Sequence, residues 1–257
     1  MISKAQIKHI RSLQQKKVRQ SLALYVVEGD KLCREWLAAG AEIAQAIATE
    51  SWLREHLDVR LPDGLQWQVT SPEDLAAMSS LETQSGVLLV VKQPLSERPQ
   101  PMADWSLGLD AIRDPGNFGT ILRIADWFGI RQVFASNDCV DAFNPKVVQA
   151  GMGAHLRVSM IPVDLPEMLS RFQSPVYAAA LDGENVFAAG GKRYAPGMLL
   201  IGNESAGLSE SLKKQATHAI AIPRLGRAES LNAAVATGIL CSALMLPLLA
   251  GAVHHSG

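Results

Sequence analysis

The chain has 257 residues, enough for one large or two ordinary domains, and its 48 % apolar content allows a sizeable core. Its three cysteines, Cys33, Cys139 and Cys241, are scattered and show no CxxC spacing, which argues against a disulfide framework or a zinc site and for a reducing compartment, the cytoplasm. The net charge of −1 is unevenly spread: residues 1–20 hold Lys4, Lys8, Arg11, Lys16, Lys17 and Arg19 without an acid, so +6 there faces −7 in the rest. Such asymmetry points to nucleic acid or another acidic surface. A solvated helix face gives the same pattern. The start is polar and basic without an apolar stretch, unlike a signal peptide.

From Lys4 to Lys17, Ile7, Ile10 and Leu13 recur at helical spacing with bases on the other faces, which predicts one helix. Strands are predicted at Leu24–Val27, Ile43–Ala48, Leu65–Val69 and Val87–Val91. Helices are predicted at Asp30–Ala39, closed by Gly40, at Glu50–Leu57, and after Ser71-Pro72, with Ser71 as the cap. Residues 1–94 thus read as a small α/β domain. Pro94, Pro99 and Pro101 then mark a stiffened linker over 95–105.

Residues 106–257 alternate again. Strands are predicted at Leu107–Ile112, Ile130–Ala135, Leu156–Ile161, Val176–Leu181, Met198–Ile201 and Thr217–Ile222. Helices fall at Asn117–Phe128, around Pro145–Gln149, near Leu165–Phe172, at Ser209–Lys214 and from Leu231 to Ala250. Alternation of this kind means a parallel sheet with helices on both faces, so the fold class is α/β. The stretch Leu231–Val253 is uncharged and long enough to span a bilayer. Asn232, Gly238, Ser242 and Pro247, with no flanking Lys or Arg on its C-terminal side, favour a buried core helix.

Ligands of such sheets bind beyond the carboxyl ends of the strands, and three polar loops fall there. The first is Arg113-Asp114-Pro115-Gly116-Asn117-Phe118-Gly119, leading to Arg123. Asn117 is the predicted cap, and Arg123 lies six residues on, roughly 240° around the helix. The second is Gly202-Asn203-Glu204-Ser205-Ala206-Gly207, whose glycines allow a tight turn and close approach of a ligand. The third runs from Ile222-Pro223-Arg224 through Arg227 and Glu229 to Ser230-Leu231-Asn232. Here Ser230 is the predicted helix cap, and Asn232, a poor residue inside a helix, has some other task.

Together the three loops resemble the three motifs of the SpoU/TrmH family of RNA ribose 2′-O-methyltransferases, in the SPOUT superfamily. The matching residues are Asp114-Pro-x-Asn117-x-Gly119-x-x-x-Arg123, Gly202-x-Glu204-x-x-Gly207-Leu208, and Ile222-Pro223 with Ser230-Leu231-Asn232. Ile7-Lys8-His9-Ile10, Tyr25 to Gly29 and Gln84 to Val87 resemble the L30e/L7Ae-like RNA substrate-binding domain that precedes it in some members.

The resemblance implies a C-terminal trefoil knot, a homodimer built on the catalytic domain, and S-adenosylmethionine bound in the knotted loops. It implies cofactor contacts at Leu181, Gly202, Asn203, Glu204, Ile222, Pro223 and Leu231, with the backbones of Gly202, Ile222 and Leu231 foremost. The implied catalytic set is Arg123, Asn117, Glu204, Ser230 and Asn232, without a metal. Asn117 and Asn232 would orient Arg123 and the ribose, and Glu204 would bond backbone N–H groups of the cofactor pocket. RNA would be held by Lys4, Lys8, Arg11, Lys16, Lys17, Arg19, Arg113, Arg224 and Arg227.

The reaction is an in-line displacement at a methyl carbon whose leaving group is a neutral thioether. Orientation and removal of a proton from a weakly acidic hydroxyl remain for the protein. The family gives that proton to the residue matching Arg123, yet a guanidinium stays protonated. The other reading is that Arg123 stabilises the developing alkoxide and grips a phosphate. Two rival functions fit parts of the pattern. A dinucleotide-dependent oxidoreductase is prompted by Gly151-Met-Gly153, but Leu156 stands where the third glycine belongs. A non-catalytic RNA-binding dimer on the same scaffold conflicts with the presence of every polar motif residue.

Overall fold

In the computed structural model the basic run folds as two helices, α1 (Lys4–Ser12) and α2 (Lys16–Leu22), and not as one. The structure describes residues 2–81, 85–94, 104–188 and 194–249. Most of the proline linker, Gln84 and the end of the predicted last helix lie outside them. Arg19 explains the break. Its guanidinium is buried, 1 % exposed. It donates to the carbonyls of Leu13 and Gln14, each at 2.8 Å, and pairs through Nε and Nη2 with Asp141. The two carbonyls left over where α1 ends thus find a donor in place of a further helical turn. The expectation that Arg19 contacts phosphate is therefore corrected: its charge is spent internally. Lys4, Lys8, Arg11, Lys16 and Lys17 are exposed, as expected.

The chain continues through β1 (Leu24–Glu28), α3 (Asp30–Ala38), β2 (Ile43–Thr49), α4 (Glu50–Glu55), β3 (Trp67–Thr70), α5 (Pro72–Met78, capped by Ser71) and β4 (Val87–Lys92). The sheet order is β1-β4-β2-β3, antiparallel except for the β2–β3 pair. Successive residues serve opposite faces. Tyr25, Val27, Ala46, Ala48, Val87, Leu89 and Val91 pack with Trp36 and Trp52. Val26, Ile47, Leu88 and Val90 pack with Ile10, Leu13, Leu75 and Met78. The unbroken apolar run in β4 follows, since both of its faces are covered.

The second stretch holds β5 (Ser106–Leu109), α6 (Pro115–Trp127), β6 (Gln132–Ala135), α7 (Pro145–Gly151), β7 (Ser159–Pro162), α8 (Leu165–Leu169), β8 (Val176–Asn185), β9 (Met198–Ile201), α9 (Glu210–Gln215), β10 (His218–Ala221) and α10 (Ala233–Leu249). The strand predicted from Leu156 begins later, because Ala154–Leu156 forms a 3-10 turn. Two compact units result. One comprises residues 1–95 with 141–156, the other 96–140 with 157–257. The segment carrying α7 therefore folds with the amino-terminal sheet, where the sequence reading kept it in the second domain. Val148 joins the Trp36 core, and Gln149 donates to the Glu28 carbonyl at 2.7 Å.

In the second unit the sheet order is β10-β8-β9-β5-β6-β7, every pair parallel. Phe134, Ile161, Val176, Met198 and Leu200 meet Leu165, Leu169, Leu208 and Leu212. The alternate residues Leu107, Leu109, Val133 and Leu199 are equally buried, as a parallel sheet covered on both sides requires. α10 packs on α6, and no helix among the described residues is long and apolar enough to cross a membrane.

Arg19→Ala strands the Asp141 carboxylate and two carbonyls, so it is expected to lower stability by about 3–5 kcal/mol. Lys8→Ala is expected to stay within about 0.5 kcal/mol. Denaturant unfolding measures both, and an Arg19→Ala protein as stable as the parent would refute the internal role.

Candidate active site

All three polar loops leave carboxyl ends of strands in one parallel sheet, β5 and β9 side by side and β10 beyond β8. After β5, Asp114 caps α6 by accepting from the Asn117 N–H at 2.7 Å. The cap is thus Asp114 and not Asn117, which leaves the Asn117 side chain free for other partners. After β9, Asn203 and Gly207 bond each other through both backbone pairs, N–H to O at 3.1 and 2.9 Å. Gly207 turns the chain at φ 68°, where a side chain is disfavoured. The Asn203 Oδ1 accepts from the Ser205 and Ala206 N–H groups, and its Nδ2 donates to the Ala111 carbonyl at 2.8 Å. Before α10, Asn232 is the cap: its Oδ1 accepts from the N–H groups of Ala234 and Val235 at 2.9 and 3.2 Å. Ser230, the predicted cap, is exposed two residues upstream.

The loops meet through a line of side chains. The Asn232 Nδ2 donates to the Asn117 Oδ1 at 2.7 Å. The Asn117 Nδ2 donates to the Glu204 Oε1, also at 2.7 Å. The other carboxylate oxygen of Glu204 accepts from the Asn203 Nδ2 at 3.3 Å. Glu204 thus bonds side-chain amides and not the backbone N–H groups expected of it.

Beside this line opens a cleft of about 610 Å³, lined by residues 179–182, 201–208, 222–226 and 228–231, by Lys213 and Ile220, and by Ala233, Ala236 and Leu240 of α10. Its size suits a nucleoside-sized ligand. From Arg224 to Leu231 no backbone N–H donates to another backbone group among the described residues, so donors remain for a ligand. Leu181, Gly202, Asn203, Glu204, Ile222, Pro223 and Leu231, the seven predicted cofactor residues, all line the cleft, and so does Ser230.

A family model described as the SpoU rRNA methylase family matches residues 104–242, and one for an MRM3-like substrate binding domain matches residues 4–89. The chain belongs to the SpoU rRNA methylase family. It is 28 % identical to the 23S rRNA (guanosine(2553)-2′-O)-methyltransferase of Bacillus subtilis, over 91 % of this chain and 93 % of that one. A TrmH-family structure from Porphyromonas gingivalis superposes with a TM-score of 0.82 at 38 % identity, covering 95 % and 98 % of the two chains. The AdoMet-bound rRNA methyltransferase of Sinorhizobium meliloti does so with 0.81 at 28 % identity, covering 95 % of each.

Within this SpoU chain Arg123 stands apart. It is exposed and has no hydrogen bond or ion pair among the described residues. Asn117 lies inside α6, so six residues turn Arg123 roughly 240° away from it. Asn117 and Asn232 engage each other and Glu204, and do not orient Arg123 within the chain. Arg113 and Arg227 are exposed, and so is Arg224, whose Nη1 reaches the Ala228 carbonyl at 3.5 Å. The sequence reading missed Asp182 and Lys213, both on the cleft wall. It ended β8 at Leu181, and the polar residues beyond looked like loop.

Of the two tasks expected of Gly202, a tight turn and close approach of a ligand, its surroundings account for the turn. A Cβ there would lie 2.2 Å from the Gly207 carbonyl carbon and 2.3 Å from the Leu208 nitrogen. The room a side chain would take is filled by the turn itself and not by a ligand. Gly202→Val is therefore expected to lower stability by about 1–3 kcal/mol together with loss of S-adenosylmethionine binding. Thermal unfolding and calorimetry on the same sample test this. Lost binding at unchanged stability would return Gly202 to a space-filling role beside the ligand.

Proposed function

We propose that this chain is an S-adenosylmethionine-dependent RNA methyltransferase acting on a ribose 2′-hydroxyl of rRNA or tRNA. The observation that carries the reading is the line Asn232–Asn117–Glu204, which ties all three family motifs together beside a nucleoside-sized cleft. Bound in that cleft, S-adenosylmethionine supplies a methyl group already activated by its sulfonium. The cleft loops hold it, and spare N–H groups of Asn117 and Asn232 hold the ribose oxygen. Arg123 stabilises the developing alkoxide and a neighbouring phosphate. Proximity and orientation carry most of the barrier reduction. A non-catalytic scaffold gives no reason for this linkage of polar side chains.

The domain boundaries proposed are 1–94 for an L30e-like RNA-binding domain, 95–105 for the linker and 106–257 for the methyltransferase, with 141–156 packed on the first. The trefoil knot is proposed at the cleft loops. Support comes from the strand order, in which β10 lies outside β8 while β9 lies inside it. The homodimer is proposed through α6 and α10, where Trp127 is 84 % and Val235 51 % exposed. Trp127 follows Arg123 by one helical turn on the same face. In this reading Arg123 serves the Asn117 line of the other subunit, since it stands roughly 240° around α6 from Asn117 of its own chain. Buried, unpaired Cys33, Cys139 and Cys241 support a reducing, cytoplasmic setting.

Methyl-labelled S-adenosylmethionine with RNA is expected to yield ribose-methylated nucleosides. Arg123→Ala and Arg123→Lys are both expected to collapse single-turnover transfer while ligand affinities change little. Mixing Arg123→Ala chains with Asn117→Ala chains is expected to restore roughly a quarter of the activity, because statistical exchange makes half the dimers mixed, each with one complete site. No restoration would place Arg123 in its own subunit's site, and wild-type rates in Arg123→Ala would remove it from the chemistry.

Lys8→Glu with Arg11→Glu is expected to weaken RNA binding and flatten its salt dependence by about one unit of log–log slope per lost phosphate contact. Cofactor affinity stays unchanged. An unaltered salt slope would make the run a solvated face.

A further inference from the structure

The cleft wall contains one strand irregularity that the backbone reading of the cofactor site leaves unused. β8 pairs with β10 up to Ala178 opposite Ala219, yet the next residue, Ile220, pairs with Glu184. Five residues, 179–183, stand out of register between consecutive partners, and 179–182 line the cleft. Gly183 closes the bulge. A Cβ there would fall 2.6 Å from both the nitrogen and the carbonyl carbon of Ile220, so only glycine lets β8 rejoin β10 at that point. The residue held at the lip by this return is Asp182.

Three carboxylates border the cleft: Asp182, Glu204 and Glu229. Glu204 is committed to Asn117 and Asn203. Glu229 sits on a fully exposed loop. Asp182 has a short side chain at the end of the bulge, next to Gly183, whose backbone lies against Ile220. It makes no hydrogen bond or ion pair among the described residues. Lys213, also on the cleft wall, bonds Glu210 at 2.8 Å, and both members of that pair lie within electrostatic reach of Asp182. What Asp182 offers a ligand is two acceptor oxygens. Acceptors of this kind, where the regular parallel pairing of β8 is interrupted beside the cleft, suit a pair of vicinal hydroxyls.

Resting on the cofactor reading above, we propose that Asp182 accepts hydrogen bonds from the 2′- and 3′-hydroxyls of the cofactor's own ribose and so selects a ribonucleoside. The residue binds and positions; it takes no part in proton transfer.

Calorimetry on the full chain separates the possibilities, with three probes: S-adenosylhomocysteine, 5′-methylthioadenosine, which lacks the amino-acid tail, and 2′,3′-dideoxy-5′-methylthioadenosine. Asp182→Ala is expected to weaken the first two by a similar factor, roughly 10- to 100-fold. It is expected to leave affinity for the dideoxy probe at the wild-type value. Wild-type protein is expected to bind the dideoxy probe more weakly than 5′-methylthioadenosine by that same factor, a comparison that needs no variant to fold. Weakening of S-adenosylhomocysteine alone would mean that Asp182 faces the ligand's ammonium group, and the proposal would fall. Unchanged affinity for both ribonucleosides in a folded Asp182→Ala protein would also overturn it. If the wild-type chain binds neither ribonucleoside, the cofactor reading itself fails, and this inference with it.

Discussion

The catalytic unit depends on a single carboxylate. Glu204 accepts from the amides of Asn117 and Asn203, and hydrogen bonds to a charged acceptor each contribute about 1.5–3 kcal/mol. These bonds join the loops after β5 and β9, and through Asn117 the start of α10 as well. Glu204 and Asn232 lie 87 and 115 positions from Asn117 in sequence, so the alignment of the three segments cannot come from local propensity. Replacing the carboxylate would remove the link from Asn117 to the loop after β9, leaving the Asn232–Asn117 bond and the bond from Asn203 to the Ala111 carbonyl to hold the three segments.

That dependence explains which parts of the site the sequence revealed. Strand–helix alternation and the order of the three motifs were legible because each is a local pattern. The identities of the caps were not. Asp114 and Asn117 both have capping side chains, as do Ser230 and Asn232, and the choice was made by partners far along the chain. Asn117 is drawn to Glu204, so the cap falls to Asp114. Asn232 caps with its oxygen and links with its nitrogen, an economy of one side chain that no spacing rule foretells.

Arg19 shows the same limit in the first unit. Within a run of six bases it looked like the others, and five of them are exposed as the pattern suggested. Its partner Asp141 lies 122 positions away, in a segment that the alternation assigned to the second domain. The buried pair and the return of α7 to the amino-terminal sheet are therefore one finding: Asp141 is available to Arg19 because residues 141–156 fold there. Likewise β8 runs past Leu181 because Gly183 permits a backbone approach to β10, and a close approach leaves no mark in hydropathy.

The direction of the amide line limits the chemistry. Asn232 donates to Asn117, and Asn117 donates to Glu204. Both lone-pair directions of the Asn232 oxygen are taken by backbone N–H groups, while each amide nitrogen keeps one N–H unused. The line therefore offers donors to an incoming oxygen, and amides are too weakly basic to accept its proton. A guanidinium is no better as a base. Donors from Asn117 and Asn232 with the charge of Arg123 can hold an alkoxide as it forms, which leaves the 2′-hydroxyl proton to phosphate or water. In the proposed function such a site would accelerate transfer by stabilising negative charge on the attacking oxygen, with the exposed Arg123 supplied to that oxygen by the second copy of the proposed dimer.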